Sequence, residues 1–139
     1  MKTASILVVD DNPTNLKLVS DILTFEGYEI LRACDAEEAL EVLKHAMPDL
    51  ILMDIALPGM DGLTLTRQLK ANPATSPILI VALTAFAMKG DDAKARDAGC
   101  DGYITKPIDT RKLPIQVAAL LKRNSEPELL KGDHEHSAH

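Results

Sequence analysis

The sequence is poor in aromatic residues and in cysteine. Only 3% of its 139 residues are aromatic, and none is tryptophan. A core must therefore be built from aliphatic side chains, which suits helices packed on a parallel sheet. The two cysteines, Cys34 and Cys100, lie far apart and form no CxxC pair. We expect two reduced, buried thiols in a cytosolic protein rather than a disulfide or a cysteine-ligated metal.

Basic charge and long apolar runs are also scarce. The chain has 15 Lys and Arg against 21 Asp and Glu, a formal net charge of -6. Nucleic-acid binding normally requires a clustered basic excess, so we expect no direct contact with DNA or RNA. No apolar run approaches the roughly 20 residues of a membrane-spanning helix, and the N-terminus lacks the layout of a signal peptide. These features predict a cytoplasmic protein that does not bind a membrane.

Short apolar runs typical of buried strands alternate with segments of helical spacing. The predicted strands are 6–9, 28–33, 50–53, 78–83 and 102–105. Five helices are predicted between and after them. The first starts at Asn12-Pro13 and stops at Gly27, the second starts at Asp35, and the third follows Gly62. The fourth covers residues 90–98 and the fifth covers residues 109–123. This alternation predicts an α/β fold, a flavodoxin-like (βα)5 doubly wound parallel sheet, for which the strand order 2-1-3-4-5 is common. We predict one domain over residues 1–123 and a disordered polar tail over residues 124–139.

Three aspartates follow buried strands that are neighbours in this strand order. Asp10 and Asp11 follow the first strand, and Asp54 follows the third. Ligands bind doubly wound sheets at the carboxyl ends of the strands, so we expect the three carboxylates to converge there. Converging anions repel each other unless a cation compensates them, and oxygen ligands without His or Cys favour Mg²⁺. Thr84 and Lys106 end the fourth and fifth strands and should reach the same edge.

This set of side chains suits acceptance of a phosphoryl group. Mg²⁺, a lysine and a hydroxyl neutralise and position phosphoryl oxygens, and an aspartate can act as nucleophile through an acyl phosphate. Each residue alone has an ordinary explanation, such as a helix-terminal acid or a solvated surface lysine. Their joint occurrence at four strand ends favours the functional interpretation.

The motifs VVDDN, LILMDIALPGMDG, ALTAFA and GYITKPI occur in this order along the chain. Together they resemble the receiver domain of two-component response regulators, and the resemblance covers residues 5–123. The stretches LMDIALP and TAFAMKGD are most similar to single-domain regulators of the DivK type that act in the cell cycle, although receivers attached to hybrid histidine kinases share them.

The resemblance assigns a role to each residue that matches the family motifs. It implies that Asp54 is the phosphoacceptor, that Asp11 binds the metal directly, and that Asp10 acts on the metal through water. The backbone carbonyl of Ala56 would be a further metal ligand. The phosphoryl oxygens would be held by Thr84, by the amide of Ala85 and by Lys106.

The resemblance also implies a conformational switch. On phosphorylation Thr84 would move toward the phosphoryl group and the ring of Tyr103 would turn inward, which reshapes the face of the fourth helix, fifth strand and fifth helix. The bond before Pro107 would be the family's usual cis peptide, which places the ammonium of Lys106.

These features predict a stand-alone signalling switch rather than an enzyme that turns over a substrate, apart from its own phosphorylation and slow dephosphorylation. The donor would be a histidine kinase or a histidine phosphotransfer protein, and the output would be binding of a downstream protein by a monomer or a weak phosphorylation-dependent dimer. Three alternatives remain at this point. An aspartyl-phosphate phosphatase usually has a second acid where this chain has Ala56, a flavodoxin-like cofactor binder would need a Gly-rich phosphate loop, and a pseudo-receiver would lack part of the acid set.

Overall fold

A computed structural model describes residues 4–57, 59 and 60, 62–84, and 91–125. Five strands alternate with five helices in this part of the chain. They are β1 (Ser5–Val9), α1 (Pro13–Phe25), β2 (Glu29–Ala33), α2 (Ala36–Leu43), β3 (Leu50–Asp54), α3 (Gly62–Ala71), β4 (Leu79–Thr84), α4 (Asp91–Ala98), β5 (Gly102–Thr105) and α5 (Lys112–Ser125). None of the helices in the described ranges is long and apolar enough to cross a bilayer.

The strands form one parallel sheet in the order β2-β1-β3-β4-β5. The predicted fold class and strand order are therefore confirmed. In this register Val9 pairs with Met53, Asp54 with Leu83, and Thr84 with Thr105. The carboxyl ends of β1, β3, β4 and β5 consequently meet at one edge of the sheet, where the sequence places its aspartates, threonine and lysine.

The two faces of the sheet carry separate aliphatic cores. In β1, Leu7 and Val9 belong to a cluster with side chains of α2 and α3, whereas Ile6 and Val8 belong to a cluster with side chains of α1 and α5. All five residues of β3 are buried. Because both faces are covered, the central strands are apolar except at their end residues and provide a rigid support for the polar residues at their carboxyl ends.

Local capping explains where the first helix begins and ends. The side chain of Asn12 accepts hydrogen bonds from the amides of Thr14 and Asn15 at 2.9 and 3.1 Å. At the other end Gly27 has a φ of +98°, which a residue with a side chain rarely adopts. The amide of Tyr28 then bonds back into the last turn of α1. The predicted start and stop of this helix are thus confirmed.

The other helix boundaries differ slightly from the prediction. The Asp35 carboxylate accepts from the amide of Glu38 at 2.8 Å, as predicted for a cap, but the Glu38 carboxylate accepts from the amide of Cys34 rather than from that of Asp35. The last helix begins at Lys112 rather than near Asp109. The Asp109 carboxylate accepts hydrogen bonds from the amides of Arg111 and Lys112, so Asp109 caps this helix from outside it. This helix continues to Ser125, two residues beyond the predicted domain end, and residues 126–139 of the predicted tail lie outside the described residues.

Candidate functional site

Asp54 is the last residue of β3 and is only 5% exposed. One carboxylate oxygen, Oδ1, accepts a hydrogen bond from the amide of Ala56 at 2.9 Å. The other oxygen, Oδ2, lies 3.0 Å from the ammonium Nζ of Lys106. A carboxylate at the end of a buried strand is therefore held in one orientation by a backbone donor and a cation.

Asp10 follows β1 and is 1% exposed. Its Oδ1 accepts from the amide of Asn12 at 2.9 Å, so the turn that caps α1 also orients this carboxylate. Its Oδ2 lies 3.3 Å from Lys106 Nζ. That oxygen is buried and no donor among the described residues is aligned for a hydrogen bond with it. The arrangement leaves a buried anionic oxygen whose compensation depends on charge alone.

Lys106 therefore bridges the two buried carboxylates. Burial alone would lower the pKa of its ammonium, but the hydrogen bond and charge of Asp54, together with the charge of Asp10, outweigh this effect and raise the pKa. For Asp10, burial raises the pKa, and the neighbouring charge of Asp54 adds to the increase. The Asn12 amide and Lys106 oppose it only in part. One lysine does not fully compensate two buried acids.

The remaining negative charge fits a divalent cation. Asp10, Asp11 and Asp54 can each offer one oxygen such that all three oxygens lie within 4.8 Å of one another. Asp11 is exposed, so one side of the cluster is open to solvent. Oxygen ligands and partial access to water suit Mg²⁺, which keeps several of its waters, and Oδ2 of Asp10 is a buried oxygen without an aligned hydrogen-bond donor among the described residues. These residues therefore could hold Mg²⁺.

Cys34, Asp35 and Glu38 form a second group with suitable distances for a metal. Two of these side chains are already used in the cap of α2, since Asp35 and Glu38 accept backbone amides at 2.8 and 2.7 Å. The prediction of a buried thiol is wrong for Cys34, which is exposed in the turn that precedes α2. The hydrogen bond with Glu38 raises the pKa of this thiol, which disfavours the thiolate that a metal needs. This group is explained by helix capping.

Thr84 and Lys106, two further predicted site residues, lie at the carboxyl ends of β4 and β5. Thr84 is 4% exposed at the end of β4, and its carbonyl accepts from the amide of Lys106 at 2.6 Å. The peptide bond between Lys106 and Pro107 is cis. Tyr103 in β5 is 47% exposed, so its ring is partly in solvent in this structure. Ala85 falls outside the described residues, and Ala56 is exposed directly beside the acceptor strand.

The sequence analysis did not identify Gly62 as part of the site. A Cβ on this residue would collide with the backbone carbonyl oxygen of Asp54, and the Gly62 amide donates to the carbonyl of Ile55 at 3.2 Å. The first residue of α3 thus packs directly on the end of β3. The signal was present in the pattern MDG, but a glycine before a helix is common for other reasons.

The family model for the response regulator receiver domain matches residues 6–118. The polar-differentiation response regulator DivK of Brucella ovis is 46% identical over 106 residues, which cover 76% of this chain and 86% of that protein. The corresponding DivK of Brucella anthropi is 46% identical over 104 residues, with 75% and 85% coverage.

Solved structures agree in fold. A CheY-like response regulator receiver domain protein from Methanospirillum hungatei superposes with a TM-score of 0.83 at 30% identity, covering 91% of this chain and 99% of that one. The chemotaxis response regulator CheY4 of Vibrio cholerae gives a TM-score of 0.81 at 26% identity, covering 86% and 99%.

Proposed function

Because the chain belongs to the response regulator receiver domain family, we propose that it is a phosphorylation switch whose acceptor is Asp54. The observation that carries this assignment is the position of the Asp54 carboxylate, which ends a fully buried strand and lies 3.0 Å from Lys106 Nζ. A nucleophile on a rigid strand, with a cation already at its side, is suited to receiving a group that brings negative charge.

In the proposed reaction the Asp54 carboxylate attacks the phosphorus of a phosphohistidine on the donor protein. The bond between phosphorus and the histidine nitrogen breaks, an acyl phosphate bond forms on Asp54, and the imidazole leaves and takes a proton from water. The Ala56 amide, which holds Oδ1 of Asp54, limits rotation of the carboxylate. The chain thereby contributes orientation of the nucleophile and neutralisation of charge rather than acid-base chemistry.

We propose that Asp10, Asp11, Asp54 and the carbonyl of Ala56 hold Mg²⁺, with Asp10 acting through water. When bound, the ion supplies positive charge between the carboxylates and the phosphoryl oxygens. Two observations support this ligand set: Oδ2 of Asp10 has no hydrogen-bond partner among the described residues, and three carboxylate oxygens lie within 4.8 Å of one another.

The switch residues are proposed from their places in the fold. Thr84, the Ala85 amide and Lys106 hold the phosphoryl oxygens, with the cis bond before Pro107 at the base of that lysine. Tyr103, which is half-exposed on β5 beside β4, then turns inward, and the face formed by α4, β5 and α5 changes shape. The half-exposed ring is consistent with the outward, unphosphorylated arrangement.

The donor is proposed to be a histidine kinase or a histidine phosphotransfer protein, and the output is binding of a downstream protein in the cytoplasm. The receiver unit extends to the end of α5 at Ser125, with a polar tail after it. The receiver binds this partner as a monomer or as a weak phosphorylation-dependent dimer. The net charge of -6 supports a protein partner rather than nucleic acid.

The test is intact mass after incubation with acetyl phosphate and Mg²⁺. Wild-type protein should gain one phosphoryl group, and Asp54→Asn should gain none, because an amide cannot form the acyl phosphate. The matched control is Asp21→Asn, which removes an exposed aspartate of α1 that pairs with Lys17 at 2.7 Å.

The Asp21→Asn control should be phosphorylated like the wild type, and EDTA should prevent the gain in both. A gain that persists in Asp54→Asn would refute the acceptor assignment. No gain in folded wild type, with acetyl phosphate and also with a phosphorylated histidine kinase, would instead identify a receiver that acts only as a binding module.

A further inference from the structure

The backbone that follows Asp54 is held by three hydrogen bonds within two residues. The Ile55 amide continues the sheet by donating to the Leu83 carbonyl of β4 at 3.2 Å. The Ile55 carbonyl accepts from the Gly62 amide at 3.2 Å, and the Ala56 amide donates to Oδ1 of Asp54 at 2.9 Å. The chain beside the carboxylate is therefore joined to β4, to the start of α3 and to the carboxylate itself.

The peptide unit between Ile55 and Ala56 connects two of these hydrogen bonds. Its carbonyl accepts from the Gly62 amide and its N–H donates to the Asp54 carboxylate, so both of its polar groups are used. Because a peptide unit is planar, its carbonyl and its N–H can only rotate together. The hydrogen bond from Gly62 consequently fixes the direction of the N–H that holds the carboxylate.

Glycine is needed at position 62 for space rather than for backbone conformation. The φ of Gly62 lies outside the positive range in which those of Gly27 and Gly99 lie. Alanine forms helices more readily than glycine, so conformation alone would favour alanine as the first residue of α3. A Cβ on Gly62, however, would collide with the Asp54 carbonyl oxygen and would lie 2.8 Å from Cα of Ile55. Both obstacles are backbone atoms, so only a glycine allows α3 to begin this close to the end of β3.

The first turns of α3 are anchored in the core. The fully buried Thr66 hydroxyl donates to the Gly62 carbonyl at 2.8 Å. Leu65 and Leu69 of the same helix belong to the aliphatic cluster that also contains Leu57, which follows shortly after β3. The start of α3 and the chain that leaves β3 thus share one core, and this packing keeps Gly62 against the end of the strand.

We propose that Gly62 is a positioning residue for the phosphorylation of Asp54, because its missing side chain lets α3 hold the peptide unit that orients the carboxylate. This inference deepens the proposed function and rests on it. A side chain at position 62 would separate α3 from the end of β3 and lengthen the hydrogen bond to the Ile55 carbonyl. The peptide unit could then rotate, and Asp54 would lose its backbone hydrogen bond. Fewer encounters with a phosphodonor would find the carboxylate aligned for attack on phosphorus.

The test compares Gly62→Ala with Leu69→Ala in the full chain. Leu69 is 3% exposed in the same helix, so its truncation weakens the packing of α3 without adding an atom near Asp54. A third variant, Asp54→Ala, removes the carboxylate and shows where the Ala56 amide proton resonates without its acceptor. All variants are measured at a temperature at which urea unfolding shows them to be native.

The first measurement is the proton–nitrogen correlation spectrum in EDTA, without phosphodonor. A short hydrogen bond to a charged oxygen moves an amide proton to high frequency, so the Ala56 proton reports directly on its bond to Asp54. In Gly62→Ala this proton should move at least about half of the way from its wild-type position to its position in Asp54→Ala. In Leu69→Ala it should keep the wild-type position.

The second measurement is the rate of phosphorylation by acetyl phosphate at saturating Mg²⁺, followed by intact mass. Gly62→Ala should react about tenfold more slowly than wild type, because a carboxylate that is free to turn loses the advantage of a fixed orientation. Leu69→Ala should react within about twofold of wild type, since it changes no contact of the carboxylate. If Gly62→Ala does not fold, an ester variant with glycolic acid at position 62 lacks the donating N–H and adds no side chain. The same shift and the same slowing are expected in that variant.

An Ala56 proton that keeps its wild-type position in Gly62→Ala would overturn the proposal, and so would a wild-type rate of phosphorylation in that variant. Equal changes in Leu69→Ala would also overturn it, because they would show a general effect of a weakened α3. Failure of the proposed function would appear separately, as no mass gain in the wild type. The Ala56 proton would then still decide whether Gly62 sets the orientation of Asp54.

Discussion

At the scale of single residues, the site combines two buried carboxylates with one lysine. Asp10 is 1% exposed and its Oδ2 has no hydrogen bond from the described residues, whereas Asp54 has both oxygens engaged. Burying an anion without full compensation costs free energy of folding. The protein therefore holds Asp10 at the expense of stability, as expected for a residue kept for binding a cation rather than for the fold.

We predict that Asp10→Asn stabilises the protein in EDTA at pH 7 by about 1 kcal/mol, since it removes an incompletely compensated buried charge. Burial raises the pKa of Asp10 above its ordinary value of 3.8, so the native protein binds this proton more tightly than the unfolded chain does. Wild type accordingly loses stability as the pH rises from about 4 through the raised pKa. The gain from the substitution should therefore shrink as the pH falls toward 4.

Urea unfolding of wild type, Asp10→Asn and Asp21→Asn at pH 7 and pH 4 measures this difference. Asp21→Asn should change the free energy of unfolding by less than about 0.5 kcal/mol at either pH. An Asp10→Asn protein that is less stable than wild type in EDTA at pH 7 would show that Lys106 compensates both carboxylates fully.

At the scale of elements, the site depends on where each strand and helix stops. β3 ends on Asp54 and α3 starts at Gly62, whose position against the Asp54 carbonyl leaves no room for a side chain. The start of α1 orients Asp10 through the Asn12 amide. The first residues of α1 and α3 therefore help to position Asp10 and Asp54 at the ends of their strands.

We predict that Gly62→Ala lowers the free energy of unfolding by about 2 to 3 kcal/mol, because the new Cβ must push α3 away from the end of β3. The matched control is Gly102→Ala, where a Cβ would meet Leu120 side-chain carbons at an ordinary 3.7 Å. Urea unfolding should show a change below about 1 kcal/mol for the control. Equal stability of the two variants would contradict the close approach at Gly62.

The strands and helices were predictable from the sequence, but an ion pair between residues far apart in the chain was not. Alternation of apolar strands with capped helices predicts the order of elements and the convergence of Asp10, Asp11 and Asp54, because the carboxyl ends of parallel strands share an edge. The start of α5 was placed too early, since a cap residue such as Asp109 lies outside the helix that it caps. The ion pair of Lys70 with Asp101, at 3.0 Å, was not predicted because each residue alone has the pattern of a solvated surface charge.

At the scale of the whole molecule, the carboxyl ends and the amino ends of the strands carry different kinds of residue. Asp10, Asp11 and Asp54 lie together at the carboxyl ends of the strands, with Thr84 and Lys106 beside them. The amino ends of the strands carry other polar contacts, such as the ion pair of Lys70 with Asp101 at 3.0 Å and the bond from the Ser5 amide to the Asp49 carboxylate at 2.8 Å. These connections lie at the opposite ends of the strands from the residues that would bind the metal and the phosphoryl group.

We predict that Mg²⁺ at ten times its dissociation constant raises the free energy of unfolding by about 1.4 kcal/mol, because the ion binds the native site and not the unfolded chain. Asp11→Asn should lose most of this increase, since it removes one of the three grouped carboxylates. The control Glu29→Gln changes an exposed acid of β2 and should keep it. Thermal unfolding over a Mg²⁺ titration measures the effect, and an equal increase in all three proteins would indicate non-specific salt stabilisation instead.

The outermost strands have a consequence for how the protein behaves at high concentration. β2 carries Glu29 and the exposed Arg32, and β5 is only four residues long. Unpaired strand edges invite a strand of another molecule to add to the sheet, but charged side chains and short length make both borders poor templates for such growth. The edge strands β2 and β5 therefore disfavour aggregation by strand addition, while the reactive groups lie at the carboxyl ends of the strands.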